Sequence, residues 1–78
     1  MPTVHREGGY RFFFFSNEND EPPHVHVQHG EFAAKFWLED ARLAANHGFA
    51  SQRITRIQSM VEQHREKMLR EWHDHFGT

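Results

Sequence analysis

Apolar and polar residues alternate with a period of two through His24-Val25-His26-Val27 and again from Glu31 to Leu38, the pattern of two half-buried strands. With His29-Gly30 as a two-residue turn, Gln28 pairs with Glu31, Val27 with Phe32, His26 with Ala33, Val25 with Ala34 and His24 with Lys35. Directly opposed residues share a face. One face of this hairpin then carries Val25, Val27, Phe32, Ala34, Phe36 and Leu38, a core set. The other carries His24, His26, Gln28, Glu31, Lys35 and Trp37, titratable and aromatic groups that packing does not require.

Upstream, Gly8-Gly9 opens Tyr10-Arg11-Phe12-Phe13-Phe14-Phe15-Ser16, whose aromatic run between turn residues reads as a strand. Four consecutive Phe leave neither face polar, so this strand is expected to be covered on both sides. The polar segment Asn17 to Glu21, closed by Pro22-Pro23, is a loop that enters the next strand in extended form. Beyond Leu38 the period lengthens. Glu39 or Asp40 can cap a short helix through Leu43 and Ala44, with Gly48 as its left-handed end and Phe49 folding back. Ser51 caps a second helix, in which Ile54, Ile57, Val61, His64, Met68 and Trp72 form one stripe. Run unbroken from Ser51 to Phe76, it would span about 39 Å. The expected fold is α+β: three antiparallel strands (β-β-β), then a short and a long helix packed on one sheet face, in a single domain spanning residues 1–78.

At 78 residues the core is small, and about 60% of the unfolded chain's surface is buried in a domain of this size. A homodimer is expected, because the aromatic strand and the long helix offer more apolar surface than one chain covers. Nine Lys and Arg against 11 Asp and Glu give a formal charge of −2, so the chain as a whole is no polycation. With no cysteine, disulfides, thiolate metal sites and a Cys nucleophile are excluded. The first residues carry no apolar run after a basic start, and none elsewhere approaches membrane length; a cytoplasmic location without membrane contact is expected.

His24 and His26 in His-x-His spacing lie roughly 6.5–7 Å apart on one strand face, so both imidazoles could reach one divalent metal such as Zn²⁺. A third ligand would have to come from Glu31, His29, His5 or the acidic loop, and no spacing dictates which. The same pair suits acid–base chemistry, with His24, His26 and Lys35 as catalytic groups and Arg11, Trp37 and Glu31 contacting substrate. A cluster of His, Lys and Arg without an obligatory carboxylate is the equipment of a metal-independent ribonuclease, if Arg11 shares the His face, which the alternation leaves open. Two surface histidines on the polar side of an amphipathic hairpin are the plainer alternative. His64, inside the helical stripe, reads as a core histidine with a hydrogen-bond partner, and His47, His73 and His75 as helix-terminal residues. The chain has no Gly-rich phosphate loop, Gly-x-Ser-x-Gly elbow or His-Glu-x-x-His.

The succession REGGYRFFFFSNE, EPPHVHVQHGEFAAKFWLEDARLAANHGF and REWHDHF resembles a family of small bacterial proteins known as domain of unknown function 4160. The resemblance covers nearly the whole chain, and PPHVHV with AKFWL is its most specific part. Relatives of this kind often stand beside a second small open reading frame, which implies a toxin–antitoxin-like pair and a small cognate partner protein. No catalytic residue is carried over; His24 and His26 fall in the hallmark motif. Two functions are therefore expected as alternatives. One is a toxin-like effector that cleaves RNA. The other is a non-enzymatic module whose His, Trp and Phe face binds a partner protein, a metal or a second copy.

Overall fold

The computed structural model describes residues 3–16 and 20–78. Five antiparallel strands form one meander in sequence order: β1 Thr3–Glu7, β2 Tyr10–Phe13, β3 His24–His29, β4 Phe32–Trp37 and β5 Leu43–His47. Two helices follow, α1 Ser51–Gln63 and α2 Arg65–Phe76. The α+β class and the two helices after an antiparallel sheet match expectation. The sheet has five strands rather than three. The loop residues Asn17, Glu18 and Asn19, and the first two residues Met1 and Pro2, lie outside the described part.

Both extra strands have local causes. Gly8 and Gly9 sit at φ +58° and +86°, so they form a tight turn with both central residues left-handed and fold β1 back on β2. β5 occupies the segment expected to be a short helix. The Asp40 carboxylate accepts a hydrogen bond from the Arg42 amide at 3.0 Å and Ala41 takes φ +58°, so the chain reverses and pairs with β4. The helices hold this reversal from outside: Gln58 donates to the Ala41 carbonyl at 2.8 Å and Arg65 to that of Glu39 at 3.0 Å. The helix-forming tendency of Ala, Leu and Arg is thus overridden by pairing and by these clamps.

The β3–β4 hairpin turns at Gly30-Glu31, not His29-Gly30, which moves the pairing by two residues: His26 faces Lys35, Val25 faces Phe36 and His24 faces Trp37. A turn at His29-Gly30 would ask a histidine to adopt positive φ. As built, Gly30 takes φ +59° at the first turn position, where Gly is favoured. Because the displacement is even, every side chain keeps its face.

The helices cover one face of the sheet. Phe12, Phe14, Val25, Val27, Ala34, Phe36 and Leu38 meet Ile57, Met60, Val61, Met68 and Trp72 in a single core, with Ile54, Leu69 and Phe76 packed at its margin. The predicted stripe therefore does face the sheet. It is not one long helix: the chain kinks at His64 (φ −108°, ψ 14°). No Pro or Gly lies there; what marks the position is a contact between His64 and β1 described below. Ala50, not Ser51, is the N-cap of α1, and it makes no side-chain cap bond. No helix among the described residues is long and apolar enough to cross a membrane.

Candidate functional site on the uncovered sheet face

The ladder registers fix what the other face presents. Two cross-strand rows run across it: Thr3, Phe13, His26, Lys35 and Ala45 in one, and Arg6, Arg11, Gln28, Ala33 and His47 in the next. Trp37 and His24 begin a third. The pairing of Arg11 with Gln28 and of Phe13 with His26 settles which face Arg11 occupies: it is the face of His26. None of these strand positions is a carboxylate, and Arg6, Arg11 and Lys35 share this surface of a chain with a net charge of −2; Glu21, from the loop before β3, pairs with Lys35.

The cations lie over aromatic rings. The Arg11 guanidinium is 4.4 Å from the centroid of Phe13, and the Lys35 ammonium is 4.8 Å from that of Trp37. His26 stacks on Phe13 at 5.6 Å and meets the edge of Phe15 at 4.4 Å. These contacts account for the four-Phe run: Phe12 and Phe14 enter the core, Phe13 is 6% exposed under Arg11 and His26, and Phe15 is 36% exposed at the rim. The aromatic excess read as a reason for a dimer is thus largely satisfied within one chain. Arg11 is oriented by Thr3 Oγ1 at 3.0 Å and Gln28 at 3.4 Å, and Lys35 by the Glu21 carboxylate at 2.5 Å.

His24 departs from expectation. It shares the ladder face with His26, yet at the end of the sheet where β3 begins, Trp72 of α2 reaches its ring at 5.0 Å, and Trp37 and His26 close the other side at 5.8 and 5.2 Å. The side chain is 0% exposed, and its Nδ1 lies 2.9 Å from the Pro22 carbonyl, to which a protonated Nδ1 donates. His24 is therefore not a group that meets a bound molecule in this conformation. Glu31, expected beside Gln28 on the His face, lies instead in the hairpin turn off the ladder. Of the residues singled out from sequence, His26, Lys35, Arg11 and Trp37 form one surface. Among the described residues, no third His, Asp or Glu joins His24 and His26 to complete a ligand set.

A set that does converge was not assembled by sequence reasoning. His5 and His64 both approach one oxygen of Glu7, at 3.0 and 3.3 Å, on the helix-covered side of the sheet edge. The hydrogen bond from His5, with smaller contributions from the charges of His5 and His64, holds the Glu7 carboxyl below its ordinary pKa of 4.5. The His-x-Glu alternation in β1 was the one available signal, and it requires β1 to be recognised as a strand. A cavity of about 310 Å³ between β1 and α2 is lined by Thr3, Val4, Phe14, Glu71, Asp74 and His75, and contains none of the uncovered-face candidates.

Residues 9–73 match the family model described as Domain of unknown function (DUF4160), and the chain belongs to that family. No curated protein and no solved structure matches it.

Proposed function

We propose that the uncovered sheet face binds single-stranded RNA and cleaves it without a metal, in the manner of a small toxin-like effector. Its support is the segregation of charge: Arg6, Arg11 and Lys35 share a surface with His26, Phe13, Phe15 and Trp37, while no strand position on that surface is acidic. Cations spaced along a sheet hold phosphates, and flat rings beside them stack bases of any identity. Local charge, rather than the formal total, is what a polyanion meets.

In this reading Trp37 and Phe15 stack bases, Arg11 holds a phosphate, and Lys35, directly across from His26, stands against the scissile phosphate. His26 takes the proton from a ribose 2′-hydroxyl as its oxygen attacks phosphorus. The bond to the 5′-oxygen breaks, that oxygen receives a proton from the Lys35 side or from water, and a 2′,3′-cyclic phosphate remains. His24 acts behind His26 as a positioning residue, its ring packed on that of His26.

A second reading keeps the same surface and changes the ligand to an acidic cognate partner protein. It is favoured by the partly exposed Phe15 and by Trp37 and Arg11, residue types that anchor interfaces.

The test is cleavage of a labelled single-stranded RNA by the purified chain with and without chelator. His26→Ala should lower the rate about 10²–10⁴-fold. Lys35→Ala and Trp37→Ala should weaken binding, with a shallower salt dependence for the lysine variant. No RNA binding at low salt would remove this function and leave the partner protein. Activity abolished by chelator would contradict metal independence.

A further inference from the structure

His5, Glu7 and His64 come together from the first strand and from the joint between the two helices. β1 contributes His5 and Glu7, which are two residues apart on the strand and so point to the same face, and the kink between α1 and α2 contributes His64. One ligand atom from each lies within 4.8 Å of the other two. The imidazoles sit side by side, centroids 4.0 Å apart and planes inclined at 38°, with both Nε2 atoms near the same carboxylate oxygen, at 3.0 Å for His5 and 3.3 Å for His64.

We infer that His5, Glu7 and His64 form a site for a divalent transition metal, Zn²⁺ foremost. A tetrahedral zinc with bonds of 2.0–2.1 Å to nitrogen and oxygen holds its ligand atoms about 3.3–3.5 Å from one another. The His64–Glu7 separation of 3.3 Å is already that edge, and His5–Glu7 at 3.0 Å needs to open by only a few tenths of an ångström. Two imidazoles and one carboxylate are a donor set that zinc accepts, and three protein ligands leave the fourth position to water or to an incoming group. Two ring nitrogens within 3.3 Å of a single carboxylate oxygen are close enough to share one cation, and ligation requires both Nε2 atoms to be free of protons.

Access and construction are compatible with a metal. The side chains of His5, Glu7 and His64 are 14%, 39% and 26% exposed, so an ion can enter while two of the three ligands stay packed. His5 rests against Phe12 of the core at 5.4 Å, which limits its rotation. His64 is held by the backbone bonds on either side of the kink, from its own amide to the Met60 carbonyl and from the Met68 amide to its carbonyl. A metal here would tie the edge strand β1 to the joint between the helices, closing the segment from His5 to His64 into a loop. This site is separate in position and ligands from the His24–His26 pair and does not depend on RNA cleavage.

The experiment uses the untagged full chain, stripped with chelator and titrated with Zn²⁺ by calorimetry and with Co²⁺ by visible absorption. The expected result is one ion per chain, a tetrahedral Co²⁺ spectrum, and a rise in Tm of roughly 10 °C or more at a hundredfold excess over Kd. Glu7→Gln and His64→Gln should each bind at least about tenfold more weakly, since even partners one shell further out cost 10–100-fold. His26→Gln and the double variant His73→Gln/His75→Gln should bind as the parent does. If a site variant does not fold, the imidazole resonances of the parent decide: zinc must shift those of His5 and His64 and leave those of His73 and His75 in place. No binding by the parent, which would mean a hydrogen-bonded cluster only, overturns the inference. So does equal binding by folded Glu7→Gln and His64→Gln chains, or zinc shifts confined to other histidines.

Discussion

The chain holds two histidine clusters built in opposite ways. His24 and His26 are adjacent in sequence and share a strand face, but their rings stand nearly perpendicular at 84°, one sealed under Trp72 and the other among Phe13 and Phe15. His5 and His64 are 59 positions apart in the sequence, yet both come close to a single oxygen of Glu7. His5 and Glu7 are also i and i+2 on one strand and meet at 3.0 Å, so strand spacing alone does not separate the two clusters. What differs is the third group: the kinked helix pair leans over β1 and brings His64 to the same oxygen. Shared direction suits an extended ligand such as a nucleic-acid strand; convergence suits an ion.

The largest effect that could break this contrast lies within the first cluster. His24→Ala removes a fully buried ring and its bond to the Pro22 carbonyl, and should destabilise the chain by about 2–4 kcal/mol. His26→Ala, at a partly exposed position, should cost under about 1 kcal/mol while removing the proposed RNA cleavage. Urea unfolding of the two variants checks it. Equal, small losses would mean that His24 is not sealed and that the two imidazoles are equivalent surface groups.

A smaller effect sharpens the second cluster through its pH dependence. Glu7 has a folded-state pKa below its ordinary 4.5, chiefly through the His5 hydrogen bond. The stability this confers is therefore present above about pH 4.5 and is lost as the pH falls through the lowered value. Glu7→Gln cannot titrate. The stability difference between metal-free parent and Glu7→Gln should shrink on acidification from about pH 5 to pH 3. A difference that stays constant or grows would show that the carboxylate is not engaged by the two histidines.

Much of the first cluster was legible in the sequence because a period-two pattern assigns faces, and faces survive a register error of two residues. Val25, Val27, Ala34 and Phe36 fell in the core as the alternation required. What the alternation could not carry was distance through space. That Trp72 would close over His24 depends on where α2 ends up, and α2 exists as a separate helix only because of the kink at His64. β1 carries one apolar residue, Val4, in Thr3-Val4-His5-Arg6-Glu7 and so shows no alternation of its own; its only local signal is Gly8-Gly9, a two-residue hairpin turn that equally well opens β2. With β1 went the chance to see His5 and Glu7 as neighbours. β5 was masked by residues that favour helices, and its strand state is imposed by pairing with β4 and by Gln58 and Arg65 reaching back to the turn.

The most direct measurement of the contrast is a pair of amide NMR titrations on the same labelled chain, one with a short single-stranded RNA and one with Zn²⁺. Two separate footprints are expected: RNA shifts Arg11, Phe13, His26, Lys35 and Trp37, while zinc shifts His5, Glu7 and His64. Coincident footprints, or RNA shifts confined to the helices, would contradict this.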